Sequence, residues 1–138
     1  MTFRSAVVIS CALLALVPGL DAAQNSQAKT SSSLKAGQQT YQQYCAVCHG
    51  KTGKGDGPAA SALKTVPPDL SSLARRHDGK FPTAYVSDVL RNGVNVPAHG
   101  TAEMPIWGPL FLALDSSFQS QFKLRITNLI NYIQSLQQ

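Results

Sequence analysis

Two long stretches, Gly50 to Pro82 and Gly93 to Pro109, are broken repeatedly by glycine and proline, and they separate only three segments with helical periodicity. Gly50, Gly53, Gly55 and Gly57-Pro58 impose turns, Pro67-Pro68 excludes a regular helix, and "VNVPAHGTAEMPIWGP" reads as a second loop. Leu34, Gly37, Tyr41, Tyr44, Cys45 and Cys48 recur at three and four, which predicts a helix from about Leu34 with the hydroxyls of Ser31-Ser32-Ser33 as caps ahead of it. A second helix is expected with Pro82 as its first residue, Tyr85, Val86, Val89 and Leu90 on one face, and Asn92-Gly93 as its stop. From Ser117 onward, Phe118, Phe122, Ile126, Leu129, Ile130, Ile133 and Leu136 mark a long amphipathic helix. The chain has no repeat, no βαβ alternation and no convincing strand pattern, so the expected class is all-α with three to four helices. Loops this long inside a compact domain need something to pack around. A bound organic group would supply the missing core.

A length of 138 residues suits one domain. Arg4 followed by the apolar run Ala6 to Val17 and then Asp21-Ala22-Ala23 predicts an export signal over residues 1–23, cleaved near Ala23, and hence a periplasmic location. The run is shorter than the roughly 20 apolar residues that span a membrane. Val8-Ile9-Ser10-Cys11 also resembles a lipobox, which makes a lipid anchor at Cys11 an alternative, but most of the apolar run follows that cysteine. Residues 24–33 are polar and lack an apolar period, so they read as a flexible leader to a domain spanning 34–138. The formal net charge is +5, and apart from Arg75-Arg76 the cations are dispersed. This spread argues against a nucleic-acid interface and suits docking to a protein with acidic patches.

The stretch "YCAVCHGKTGKGDGPAA", residues 44–60, carries the chemistry. A phosphate loop would need a glycine where Cys45 stands and a strand before it. A redox dithiol would open a helix beside a sheet, whereas this pair closes a helix in a helical chain. A zinc site could combine Cys45, Cys48 and His49 with His77 or His99, but no second ligand pair has recognisable spacing. Cys-x-x-Cys-His as a site for covalent attachment of one c-type haem explains the spacing best. Two thiols add to the two vinyl groups at one haem edge, and the next residue, His49, falls under the iron as an axial ligand. An export signal agrees with this, because such haem is attached after export.

Apart from the initiator, Met104 is the one methionine, and it sits in a loop beside Pro105, with Trp107 close behind. A lone methionine can simply fill a core. Its place in a proline-restricted loop favours a second axial ligand to iron. His99, five residues earlier, is the competing candidate.

Taken together, "CAVCHG", "PPDL", "MPIWG" and "LINYIQSL" resemble a small bacterial class I cytochrome c, over about Leu34 to Leu136. The resemblance implies a cytochrome c fold wrapped around one haem. It also implies that Gly37 and Tyr41 of the first helix cross Leu129 and Tyr132 of the last. It makes the Pro68 carbonyl the acceptor for the Nδ1 hydrogen of His49, and it packs Leu70 on the haem. Trp107 stands either near the haem or in the core, and Arg75 and Arg76 either pair with propionates or face solvent. The longer "GKGDGP" segment departs from the mitochondrial carriers, so their docking face does not transfer to Lys51 and Lys54. Two axial ligands leave no open iron site, which implies an electron carrier rather than an enzyme, serving a redox protein donor and acceptor. The alternatives are the cytochrome subunit of a periplasmic dehydrogenase and a haem-based sensor of small ligands.

Overall fold

The computed structural model describes residues 20–93, 104–114 and 119–138, and among these it is all helical, without a strand. Five α-helices are formed: α1 (Leu20–Tyr44), α2 (Ala46–His49), α3 (Thr83–Asn92), α4 (Trp107–Leu114) and α5 (Gln119–Ser135). Short 3-10 turns at Ala60–Ala62, Leu70–Ser72 and Arg75–His77 punctuate the long connection between α2 and α3.

The largest interface is the crossing of α1 and α5. It is close because Gly37 has no side chain: a Cβ there would stand 2.0 Å from the Asn128 carbonyl oxygen and 2.9 Å from Cβ of Tyr132. One turn along, the fully buried Tyr41 ring meets Tyr132 at 5.3 Å, and its hydroxyl donates to the Gly50 carbonyl at 2.7 Å. Burial raises the Tyr41 pKa above the usual phenol range. On the other side of Gly37, the Ser33 hydroxyl donates to Oδ1 of Asn128 at 2.7 Å and accepts from Nδ2 of Asn131 at 3.0 Å. Gly37, Tyr41 and Tyr132 therefore meet at the crossing, as the resemblance implied, with Asn128 against Gly37.

Phe122, Ile126, Leu129, Ile130 and Ile133 of α5 are buried at the spacing the sequence showed. Each full burial of such a side chain stabilises by roughly 1.5–3 kcal/mol. Val86 and Leu90 of α3 close one flank, and α3 ends at Gly93 as expected.

Two expectations need correction. The first helix begins at Leu20 rather than near Leu34, so residues 24–33 are helical, and residues 25–32 are exposed. Of the serines that looked like caps, Ser32 instead bonds back to the Lys29 carbonyl, as the neighbouring Thr30 does to the Ser26 carbonyl, and Ser33 reaches Asn128. The second correction is α4, whose first residues, Trp107 to Pro109, the sequence placed in a loop. Gly108 and Pro109 occupy its first turn, where a missing N–H costs nothing. The helix is anchored inward by Trp107 and Phe111, stacked at 5.3 Å and both packed on Tyr44, while Leu110, Leu112 and Leu114 face outward.

Candidate functional site

The cysteine pair lies where α1 gives way to α2. Cys45 is the residue between the two helices, and its amide still donates to the Tyr41 carbonyl at 2.8 Å. A helix of four residues leaves its terminal carbonyls without helical partners. The following loop folds back to supply them: amides of Gly55, Gly57 and Ala59 donate to the carbonyls of His49, Cys48 and Val47 at 2.9, 3.1 and 2.9 Å. Gly55 has φ +80°, and a Cβ there would lie 2.1 Å from the Pro67 carbonyl oxygen, so the loop closes on glycine alone. The same fold-back brings the Leu70 amide to the Gly53 carbonyl at 2.6 Å and sets the segment from Pro68 beside the histidine.

A cavity of about 290 Å³ opens beside this turn. Cys45 and His49 form one part of its wall, Pro68, Leu70 and Leu73 another, and Met104 a third. Tyr85, Val86, Val89 and Leu90 complete it from α3, with Ile133 from α5. The α3 residues are the face that periodicity had singled out. Five of the expected site residues are therefore brought together: Cys45, His49, Pro68, Leu70 and Met104. Cys48 is half-buried beside the cavity rather than on its wall. Trp107 is not on the wall either; it belongs to the aromatic cluster with Tyr44 and Phe111, so its place is the core. His99 lies outside the described residues.

Sequence reasoning missed His77 as a neighbour of this cavity, and Arg76 entered only as one of two possible propionate partners. Both line the wall, His77 with its ring 5.9 Å from that of Tyr85. Nothing in the spacing marks them, because a 3-10 turn outside any helical period carries them there. The Arg76 guanidinium is tied to its own loop, donating to the Asp69 carbonyl and the Ser72 hydroxyl.

His49 is buried, and its Nδ1 lies 3.4 Å from the Pro68 carbonyl oxygen. A carbonyl can only accept, so the contact selects the tautomer with hydrogen on Nδ1 and the lone pair on Nε2, the nitrogen that can bind a metal. Burial pushes the Cys45 thiol up to about 12, with Cys48 adding to the rise. A reactive dithiol needs the opposite shift. Neither cysteine forms a disulfide. Among the described residues no group of three or more His, Cys, Asp or Glu is placed to hold a metal ion, so the zinc reading finds no ligand set there. A buried thiol, an oriented imidazole and a thioether on one predominantly apolar cavity fit a covalently held haem.

The family model described as "Cytochrome C oxidase, cbb3-type, subunit III" matches residues 32–113, more than half of the chain. Comparison with curated proteins and with solved structures gave no match.

Proposed function

The chain belongs to the family of cbb3-type cytochrome c oxidase subunit III, a monohaem class I cytochrome c domain, and on that premise we propose that it is an exported carrier of single electrons between protein partners. The observation that carries the reading is the Cys45-x-x-Cys48-His49 turn opening onto an apolar cavity that Met104 also lines. When bound, haem supplies a reversible one-electron iron couple. The chain's own residues supply the rest. The thiols of Cys45 and Cys48 would hold the group covalently. His49 offers Nε2, and the Pro68 carbonyl keeps its ring in one tautomer and orientation. Met104 offers sulfur, a ligand that raises the potential relative to a second imidazole. Leu70, Leu73, Val86 and Ile133 line the cavity with apolar surface. If His49 and Met104 both held the iron of such a group, the chain would act as a carrier rather than a catalyst.

Export rests on the signal pattern of residues 1–23, with a lipid anchor at Cys11 as the alternative. Lys51, Lys54, Lys64 and Lys80 are exposed, and an acidic partner would meet some of them. Arg91 is less so, since it is half-buried with its guanidinium 5.6 Å above the Phe122 ring. The test is a visible spectrum of protein matured in a host that attaches c-type haem, followed by acid-acetone extraction. Haem that stays on the denatured chain is expected; extractable haem or a colourless protein overturns the reading. Raising ionic strength to about 0.2 M shortens the screening length below about 10 Å. The bimolecular electron-transfer rate should then fall several-fold, and a flat rate would sink charge-steered docking. The family description, which names an oxidase subunit, favours a second reading as part of a larger redox complex. Co-purification with a larger chain would decide for it.

A further inference from the structure

The side-chain amide of Gln137, beyond the end of α5, spends all its principal hydrogen-bonding capacity on the cavity's frame. Its Nε2 donates to the carbonyls of Leu70 and Ile133, both at 2.8 Å, and its Oε1 accepts from the Ala74 amide at 2.8 Å. Leu70 and Ile133 are wall residues of the cavity, and Ala74 directly follows a third, Leu73. One neutral group thus ties two walls contributed by segments more than sixty residues apart. The adjacent Gln138 amide adds a bond to the Ser71 carbonyl at 3.0 Å.

The segment so held is short, and the other hydrogen bonds at its far end, from the His77 and Gly79 amides to the Ala74 carbonyl and from Arg76 to the Asp69 carbonyl and Ser72 hydroxyl, stay within its own loop. Its near end is pinned by the Leu70 amide on the Gly53 carbonyl. Within it, the Asp69 carboxylate accepts from the Ser71 amide at 2.8 Å and from the Ser71 hydroxyl at 2.6 Å. Those bonds shape the turn but do not attach it to α5. The Gln137 and Gln138 bonds do. Pro68, whose carbonyl faces His49, stands two residues before the tied Leu70 carbonyl.

We infer that Gln137 is a positioning residue for the haem site: by bridging Leu70, Ala74 and Ile133 it sets the wall formed by Leu70 and Leu73 and, through Pro68, the orientation of His49. The inference rests on the haem-binding reading. It differs from a general stabilising role because it predicts a change in the electronic signature of the site. An apolar side chain at 137 leaves the Leu70 carbonyl and the Ala74 amide to water, so the turn opens locally while the helix crossing stays shut.

The experiment compares the wild-type holoprotein with Gln137→Ala and Gln137→Leu, with Gln134→Ala as a control at an exposed site on α5. Amide hydrogen exchange and the reduction potential are measured, with the proton NMR spectrum of the haem. In both Gln137 variants the Ala74 amide should exchange about tenfold faster, the size of effect expected for one lost hydrogen bond. Amides at the α1–α5 crossing should keep their rates. The potential and the haem proton shifts should move in both variants and stay at wild-type values in the control. A potential and spectrum identical to wild type in both Gln137 variants overturn the inference, even if Ala74 exchanges faster. Uniform acceleration across the molecule overturns it too, since that is what a purely global role would give. A wild-type protein without covalent haem defeats the functional reading first, which separates that failure from this one.

Discussion

Gly37→Ala tests the helix crossing directly. The new methyl carbon would start 2.0 Å from the Asn128 carbonyl oxygen and 2.6 Å from its carbon. Both belong to backbone, so no rotamer change relieves the contact. A carbon and a carbonyl oxygen rest comfortably at about 3.3–3.6 Å, so α1 and α5 must separate by roughly 1.3 Å. Overpacking of this kind costs about 1–3 kcal/mol. The separation also stretches the Ser33–Asn128 hydrogen bond and the Tyr41–Tyr132 ring contact, each worth roughly 1 kcal/mol. Against this, alanine gains about 1 kcal/mol of helix propensity over glycine. The balance is a loss of about 2–4 kcal/mol. At roughly 3–5 °C per kcal/mol for a domain of this size, the melting temperature of the holoprotein should drop by about 6–20 °C. Thermal unfolding followed by far-ultraviolet circular dichroism measures it, with the exposed Gln38→Ala as a control expected within about 0.5 kcal/mol of wild type. A Gly37→Ala protein that melts at or above the wild-type temperature would refute the close approach of the two backbones.

Gly55→Ala should lower the denaturant midpoint by the equivalent of at least about 1–2 kcal/mol, because its φ of +80° disfavours any side chain and the Pro67 carbonyl blocks the space; an unchanged midpoint would contradict the loop geometry. Met104→Ala should keep the covalent haem, lose the weak sulfur-to-iron absorption at the red end of the oxidised spectrum and lower the potential. If the wild-type protein lacks that band, and the potential is unchanged by Met104→Ala but shifts in His99→Ala, the ligand is His99. Asp69 accepts from the Ser71 hydroxyl and amide, which hold its pKa below the ordinary aspartate value. A depressed folded-state pKa gives stability that is present above the unfolded value, near 4, and is lost as pH falls through the folded value. Asp69→Asn should therefore flatten this part of the stability profile below about pH 4, and acid unfolding with an unaltered profile would count against the assignment.

The sequence announced what local chemistry decides. Cys45, Cys48 and His49 are neighbours in the chain, so their spacing is readable without a fold. The apolar face of α3 and the stripe of α5 follow from periodicity, and both reach the cavity or the core. The early start of α1 was hidden because a serine or threonine hydroxyl caps a helix or bonds back into one with equal ease, and the choice depends on what the helix packs against. The hydroxyl of Ser33 bonds to the side chain of Asn128, a partner no local pattern reveals. In α4, glycine and proline signalled a break, yet they occupy the first turn of a helix whose inner face is Trp107 and Phe111. Gln137 was the least legible of all. A glutamine at a helix end looks like a frayed, solvated residue until the loop it binds is in place.

The Ser33–Asn128 and Ser33–Asn131 bonds join residues 95 and 98 positions apart, so the crossing closes nearly the whole domain into one large ring. The entropy of closing a flexible ring grows only with the logarithm of its length, about 0.6 kcal/mol for each doubling. Lengthening the exposed loop around Lys64 by several residues would therefore change the closure cost by a small fraction of a kcal/mol, provided the turn at His49 and the tie at Leu70 remain. Contacts of such long range also make folding slow relative to a helical bundle with short connections, because the two terminal helices must find each other before most of the burial is won. The chain between them has room to vary, and its terminal helices do not.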